Sequence, residues 1–433
     1  MNVQSDSKSR TTLNWRVLLR FFLALIVLYG CYHFSIEAID EGISRFMSML
    51  AIVQPTIEPA NAAVKFAPND PEAHYTRALT LINLQRLNEG VSELQQATRL
   101  RPRHYYEWLD LGVTLDRLGD QTGAEAALRE SVRLAPSFAQ PRWQLGNALF
   151  REQRYQEAFL EMRLAVKSNP KLFEGMLDLA WVAADGNLQV MESLVESQGP
   201  RSDFEFARFL AIQGQWTDAA RYIARAGYAR DDEERALLLQ TIQRLIVASK
   251  FSEAYVAWAA THPTERVADP IGQLINSDFN GAISRDNTGF GWQIPTVPNV
   301  SGSIDPSGPR ASVKSLQLDF GGESDVNRLL LQQFVLVQPK TRYLLNVMAR
   351  TESLVTGGPP VIVVLDASDP SRFLGQSAAL SPPAGDWSTF KLDFSTGDNT
   401  SAVIIGLRRL ACTQNPCPIF GRLWLGGFSL AKA

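Results

Sequence analysis

Apolar positions change rhythm twice along this chain. From Trp15 the sequence reads WRVLLRFFLALIVLYGCYHFSI, and between Val17 and Ile36 only Arg20, His33 and Ser35 interrupt the apolar run. About 20 such residues span a bilayer as a helix. Apolar residues then return at helical spacing as far as Pro263. Beyond it come short runs rich in β-branched and aromatic residues, divided by turn clusters such as TGGPP (356–360) and SPPAGD (381–386). The expected strands are Ser315–Phe320, Leu329–Val337, Tyr343–Ala349, Val361–Asp366, Ser388–Phe394, Ala402–Leu407 and Arg422–Leu430. The three rhythms predict a multidomain α + β chain with an N-terminal transmembrane helix, an all-α superhelix and a C-terminal antiparallel β-sandwich.

Inside the helical part the chain repeats itself. Prolines stand at 68, 102, 136 and 170, an interval of 34 each time, and other columns keep that register. Small residues occupy Ala63, Ala97, Ser131 and Ala165, then Thr56, Gly90, Ala124 and Ala158, then Ala78, Gly112 and Gly146. Two helices cross closely only where side chains are small, and Leu81, Leu115 and Leu149 with Leu94, Leu128 and Met162 fill the rest of the seam. Each proline ends a unit by denying the next turn a backbone donor.

In these columns the sequence resembles the tetratricopeptide repeat (TPR) family, whose period is 34 residues with a leucine–glycine pair and a terminal proline. Three well-matched units run from Pro71 to Pro170, and the turn signature QRYQEA (153–158) recurs as GQWTDA (214–219) and SKFSEA (249–254), so about three degenerate units follow to about His262; the unit at 171–198 is shortened. The resemblance implies a concave groove for a protein partner, lined by Tyr75, Tyr106, Leu109, Val113, Asp116, Arg117, Trp143, Asn147, Phe150 and Arg151. That set is largely aromatic. Only Asn147 and Arg151 fit the pattern that clamps a terminal carboxylate, so an amphipathic or extended apolar segment is the expected occupant. The alternative is that residues 37–53 of the same chain cover these aromatics.

The last part resembles the galactose-binding-like jelly roll common among carbohydrate-binding modules. LINSDFNG (274–281) with Gly291-Trp292 resembles its opening strand, GDWSTFKLDF (385–394) its tryptophan strand, and RLWLGGFSL (422–430) its closing strand. Gly426 stands where that family often has an aspartate, which argues against a calcium site at Asp278. Sugar recognition would need aromatic platforms. Trp292 and Phe373 are the candidate glycan-binding residues, whereas Trp387 and Trp424 are expected to face the core. The alternative for this module is packing against protein.

The expected divisions are a cytoplasmic tail (1–16), a transmembrane anchor (17–36), an anchor-proximal helix with a degenerate first repeat (37–70), TPR and TPR-like hairpins (71–263), a linker (264–273) and the sandwich (274–433). Lys8, Arg10, Arg16 and Arg20 precede or open the apolar run while Glu37, Asp40 and Glu41 follow, so the basic flank should stay cytoplasmic and the bulk be periplasmic at a bacterial inner membrane. No small-residue exit site follows the run; Leu28-Tyr29-Gly30-Cys31 only loosely resembles a lipoprotein box, leaving lipidation at Cys31 as the alternative to an uncleaved anchor. An oxidising address makes a disulfide between Cys412 and Cys417 the expectation, with two unpaired thiols as the alternative.

A formal net charge of −3 in 433 residues offers no basic face for nucleic acid. The four histidines, His33, His74, His104 and His262, have no metal-ligand spacing and no neighbouring nucleophile motif, and the chain carries no phosphate-binding loop or GxSxG elbow. The reading is therefore a non-enzymatic, membrane-anchored envelope scaffold without cofactor or metal. Its TPR groove binds a protein, its sandwich binds glycan or protein, and surface polysaccharide assembly or export is the implied setting. A carbohydrate-binding envelope protein is the first alternative and a glycan-active enzyme the second.

Overall fold

The computed structural model describes residues 15–433 apart from 55, 198, 282, 284–288, 312, 384 and 414–415, with the side chains of 16–18 also left aside. The expected cytoplasmic tail therefore lies almost wholly outside the described residues. Two compact units are present, one ending at Glu196 and the other spanning Ser197–Ala433.

The first unit opens with α1 (Trp15–Val53), a helix of 39 residues. At 1.5 Å per residue it is about 58 Å long, enough to cross a bilayer and continue beyond it. Its stretch from Leu19 is long and apolar enough for such a crossing. Past that run α1 turns amphipathic: Ser44, Ser48 and Ala51 are buried against α2 (Ile57–Phe66) and α3 (Pro71–Asn83), so one unbroken rod joins the apolar segment to the first hairpin.

Three regular hairpins follow, α3 with α4 (Leu87–Leu100), α5 (Tyr105–Leu118) with α6 (Gln121–Leu134), and α7 (Ala139–Arg151) with α8 (Tyr155–Ser168). A shorter pair, α9 (Phe173–Ala183) and α10 (Leu188–Val195), closes the unit. The small-residue columns mark the closest helix contacts. A Cβ at Gly112 would lie 2.6 Å from Leu128 Cγ, and one at Gly146 2.7 Å from Met162 Cγ. Between the two helices of each regular hairpin the chain makes the same turn, with Gln85, Gly119 and Gln153 left-handed, at φ of 61°, 82° and 61°. The next N–H then returns to the carbonyl of Leu81, Leu115 or Leu149 at 2.9–3.0 Å, closing a Schellman-type cap.

A second recurrent device was not visible as a residue identity. Six places after the first three repeat prolines stand His74, Trp108 and Arg142. Their Nε2, Nε1 and Nε respectively donate to the carbonyls of Pro68, Pro102 and Pro136, each at 2.9 Å. Three unlike side chains thus satisfy the carbonyls of Pro68, Pro102 and Pro136.

The second unit starts with α11 (Pro200–Ile212), α12 (Trp216–Ala226), α13 (Asp232–Val247) and α14 (Phe251–Thr261), whose turns repeat the device at Gln215→Leu210 and Lys250→Leu245. Among the described residues nine strands follow: β1 (Val300–Asp305), β2 (Ser315–Glu323), β3 (Leu331–Leu336), β4 (Arg342–Thr356), β5 (Pro360–Asp366), β6 (Phe373–Gln376), β7 (Ser388–Ser395), β8 (Ala402–Arg409) and β9 (Pro418–Lys432). They form two antiparallel sheets, ordered β1-β2-β9-β4-β7 and β3-β8-β5-β6. Leu316, Leu318, Leu345, Val347, Leu423 and Leu425 of one sheet meet Leu331, Val335, Ile362, Val364, Ile405 and Leu407 of the other in a dry core. Seven strands match the expected runs; β1 and β6 are additional.

The expected opening strand at 274–281 is not a strand. Asn276 and Phe279 have left-handed backbone, at φ of 52° and 53°, and Asn276 Oδ1 accepts the Gly281 N–H at 2.7 Å, which curls the segment into turns. The sandwich carries helix α14 on its β3 side: Phe251 stacks on Phe334, and Phe290 lies against Tyr255, Trp258 and Phe334. The connecting residues are tied down, with the Val267 N–H donated to the Tyr255 hydroxyl at 3.0 Å and the Gly272 N–H to Leu336 O at 2.7 Å.

Candidate functional site

Helices α3, α5 and α7 are the leading helices of successive hairpins, and the expected groove residues lie along them. Bonds run from each helix to the next. The Tyr75 hydroxyl of α3 donates to Asp110 Oδ2 of α5 at 2.6 Å, and Arg151 of α7 pairs with Asp116 of α5, its Nε 3.2 Å from Oδ1. Arg117 reaches Gln85 at 3.4 Å. Burial and the Tyr75 bond set the two ends of the first tie: burial pushes the Asp110 carboxyl up, while the hydroxyl it accepts from draws it back down. Asp116 and Arg151 neutralise one another, whereas Arg117 is bonded only to the uncharged Gln85.

The other groove positions divide by depth. Leu109, 1% exposed, belongs to the core with Leu128, Leu145 and Leu149 and is closed to a partner. Val113 and Phe150 are half-buried against that same cluster. Tyr106 is 44% exposed and stacks on Tyr105 with ring centres 4.1 Å apart, while Trp143 and Asn147 are half-buried. A Cβ at Gly175 of α9 would meet Trp143 at 3.5 Å, an ordinary van der Waals distance, so the indole packs against α9. Residues 37–53, the alternative cover, pack on α2 and α3.

One buried group in this wall escaped the sequence reading. Glu107 of α5 is fully buried; its Oε1 accepts from Arg101 Nε at 2.8 Å, and its Oε2 has no partner among the described residues. Burial pushes this carboxyl up to about 7, against the pull of Arg101 and with a further push from Glu72, which shares that arginine. His104, 3.6 Å from the carboxylate, is held below its ordinary value by burial and by Arg101.

In the sandwich the aromatic candidates exchange places. Trp292 is 1% exposed, packed between Phe279 and Phe428, and donates its Nε1 to Asn276 O at 3.1 Å. It is a core residue, which corrects its expected role as a sugar platform. Phe373 is exposed, with the Arg408 guanidinium 4.4 Å above its ring. Trp424 does the reverse of what alternation predicted. Its neighbours Leu423 and Leu425 enter the core, so its own side chain lies on the outer face of the five-stranded sheet. There Arg350, its register partner on β4, lies 4.2 Å from the Trp424 ring and 5.6 Å from that of Trp387, which immediately precedes β7. Asp305 accepts the Trp424 Nε1–H at 2.8 Å, and Arg422 pairs with Glu352 at 2.6 Å. Trp424 is buried beneath these partners, whereas Trp387 is half-buried. Asp278 accepts from Asn280, and among the described residues no group of three or more His, Cys, Asp or Glu could hold a metal.

Cys412 and Cys417 form a disulfide, and Cys31 is exposed on α1. Beside the disulfide lies Arg409, 2% exposed, with no paired carboxylate among the described residues. Its guanidinium donates to the carbonyls of Gly358, Ser324, Cys417 and Pro418 and to Cys417 Sγ, the last at 3.2 Å. Burial lowers its affinity for the proton from the ordinary arginine value.

Residues 71–104 and 108–138 match the family model described as tetratricopeptide repeat, so the chain carries such repeats there. No curated protein matches the sequence significantly. Among solved structures, "MamA 41-end from Desulfovibrio magneticus RS-1" is similar at 22% identity, over 36% of this chain and 95% of that one, with a TM-score of 0.32. A structure titled "Crystal structure of PilW, widely conserved type IV pilus biogenesis factor" is similar at 16% identity, over 46% of this chain and 98% of that one, with a TM-score of 0.32. One titled "CBM4 structure and function" is similar at 13% identity, over 37% of this chain and all of that one, with a TM-score of 0.28.

Proposed function

We propose that this protein is a non-enzymatic scaffold fixed in a bacterial inner membrane by a single pass, with its N-terminus cytoplasmic and its bulk periplasmic, whose TPR wall binds a segment of a protein partner. The observation that carries this reading is the division of labour along α3, α5 and α7. Two pairs of polar residues are spent on one another, Tyr75 with Asp110 and Asp116 with Arg151, while Tyr106 and Trp143 keep accessible ring surface. A wall whose polar residues are largely paired and whose aromatic faces are free suits an amphipathic or extended apolar segment rather than a terminal carboxylate. The continuous helix α1 would hold that wall close to the bilayer.

Photo-crosslinking in intact cells tests the reading. A crosslinking residue at Tyr106 should capture one recurring protein, and Trp143→Ala should weaken that capture by about tenfold or more, as loss of an aromatic anchor does. Adducts unchanged by Trp143→Ala would remove the groove from the account.

A second reading, glycan binding by the sandwich in surface polysaccharide assembly or export, is favoured by the row Trp424–Arg350–Trp387. It combines an open aromatic edge with the polar groups Asp305, Arg422 and Glu352 on one sheet face. Its expected result is retarded migration of the full chain in gels containing polysaccharide, abolished by Trp387→Ala. Equal migration across neutral and acidic polymers would eliminate it.

A further inference from the structure

The Cys412–Cys417 disulfide has two unlike sulfurs. Cys412 is half-buried, three residues beyond the end of β8, flanked by Gly357, where a Cβ would lie 3.2 Å from its Sγ. Cys417 is buried, starts the lead into β9, and its Sγ lies 3.2 Å from Arg409 Nη2. Arg409 is anchored independently of the sulfurs, by its bonds to Gly358 O at 3.3 Å, to Ser324 O and Oγ at 3.1 Å, and to Thr356 Oγ1 at 3.0 Å. It also holds the Cys417 carbonyl at 2.8 Å, so the cation stays beside this cysteine whether or not the sulfurs are joined. No carboxylate pairs with the guanidinium among the described residues, and Glu323 contributes only a more distant charge. A buried cation ringed by neutral carbonyls favours an anion beside it.

We propose that Cys412 is a site of reversible modification by a low-molecular-weight thiol, with Cys417 as the leaving group received by Arg409. The thiolate of the incoming molecule attacks Cys412 Sγ; a new sulfur–sulfur bond forms there as the Cys412–Cys417 bond breaks, and the electron pair departs on Cys417 Sγ. The incoming thiol is oxidised to the disulfide level and Cys417 is reduced to a thiolate, the proton of the incoming thiol going to solvent. Exchange is fastest when the accessible sulfur is attacked and the better-stabilised thiolate leaves, and both conditions select the same direction here. The reverse attack would have to reach a buried sulfur and would expel a thiolate at Cys412, which has no cation bonded to it among the described residues. Because Arg409 still ties Gly358, Ser324 and the Cys417 carbonyl together, the strand ends should keep their places while Cys412 carries the adduct.

The test uses the full chain in detergent micelles with reduced glutathione as the probe. Samples are quenched early with a maleimide and mapped by mass spectrometry. The expected product carries glutathione on Cys412 and maleimide on Cys417, in about tenfold or greater excess over the reverse arrangement. Glutathione on Cys417 in equal or greater amount, or a disulfide that yields no adduct under excess thiol, would overturn the proposal.

Discussion

Gly112→Val is expected to cost the first unit about 3 kcal/mol, the upper part of the range for overpacked cores. At position 112 a first side-chain carbon already falls 2.6 Å and 2.9 Å from two carbons of Leu128, and 3.1 Å from the Ala124 carbonyl oxygen. The leucine could rotate away, but the carbonyl belongs to the backbone of α6, so the two helices must separate. Separation there strips contacts from Leu111, Leu115, Val91 and Leu94, which share one cluster across the neighbouring hairpin. Gly119→Val is the informative control. Gly119 has a left-handed φ of 82°, yet nothing lies within 4 Å of its Cβ position, so only backbone strain of about 1–2 kcal/mol is involved. Circular dichroism during chemical denaturation should order the variants as wild type, then Gly119→Val, then Gly112→Val. Equal losses at the two positions would show that glycine serves its backbone freedom in both places rather than helix approach.

The difference between these two glycines explains what could be read in advance. Close helix approach constrains residue size at fixed places, so Ala78, Gly112 and Gly146 announce themselves by identity at a 34-residue interval. The proline-carbonyl bonds recur with equal regularity but demand only an N–H at the right reach. Histidine, tryptophan and arginine all supply it, and a column of unlike letters carries no signal. Strands β5 and β8 are legible because their residues are nearly all buried; VSGSID of β1 and FLGQ of β6 are edge strands with few apolar contacts and read as loop. Alternation separates two faces of a strand without saying which one meets the other sheet. Alternation therefore leaves Trp424 open to either face, and Leu423 and Leu425 have the stronger claim to the interior. Arg350 could be found only through register, since 74 residues of chain separate it from Trp424 on the neighbouring strand. Glu107 left no trace either, because an acidic residue in the first turn of a helix ordinarily signals dipole compensation at a solvated end.

Glu107 should make the hairpin α5–α6 less stable as the solution is made more alkaline. The carboxyl is pushed up to about 7 in the folded chain, while its ordinary value is 4.5. Below that ordinary value it is neutral in both states and favours neither. As pH rises further, the unfolded chain ionises first and the folded chain retains its proton. The folded chain then binds more protons than the unfolded chain, and stability falls until the folded carboxyl also ionises near 7. The full difference corresponds to about 3 kcal/mol, from 1.36 kcal/mol for each unit of displacement. Glu107→Gln removes the ionisation but retains an oxygen for Arg101, so its stability should be nearly level across the same window. His104 works in the opposite sense: its depressed value contributes stability above its ordinary 6.5 that is lost as pH falls. Because that histidine is present in both proteins, its contribution largely cancels in the comparison. Amide hydrogen exchange of α5 and α6, corrected for intrinsic rates and followed from about pH 4.5 to pH 8, reports local opening free energies and isolates this hairpin from the rest of the chain. Parallel profiles for the two proteins would mean that Arg101 keeps Glu107 ionised throughout, and that the unpartnered Oε2 is reached by water instead of a proton.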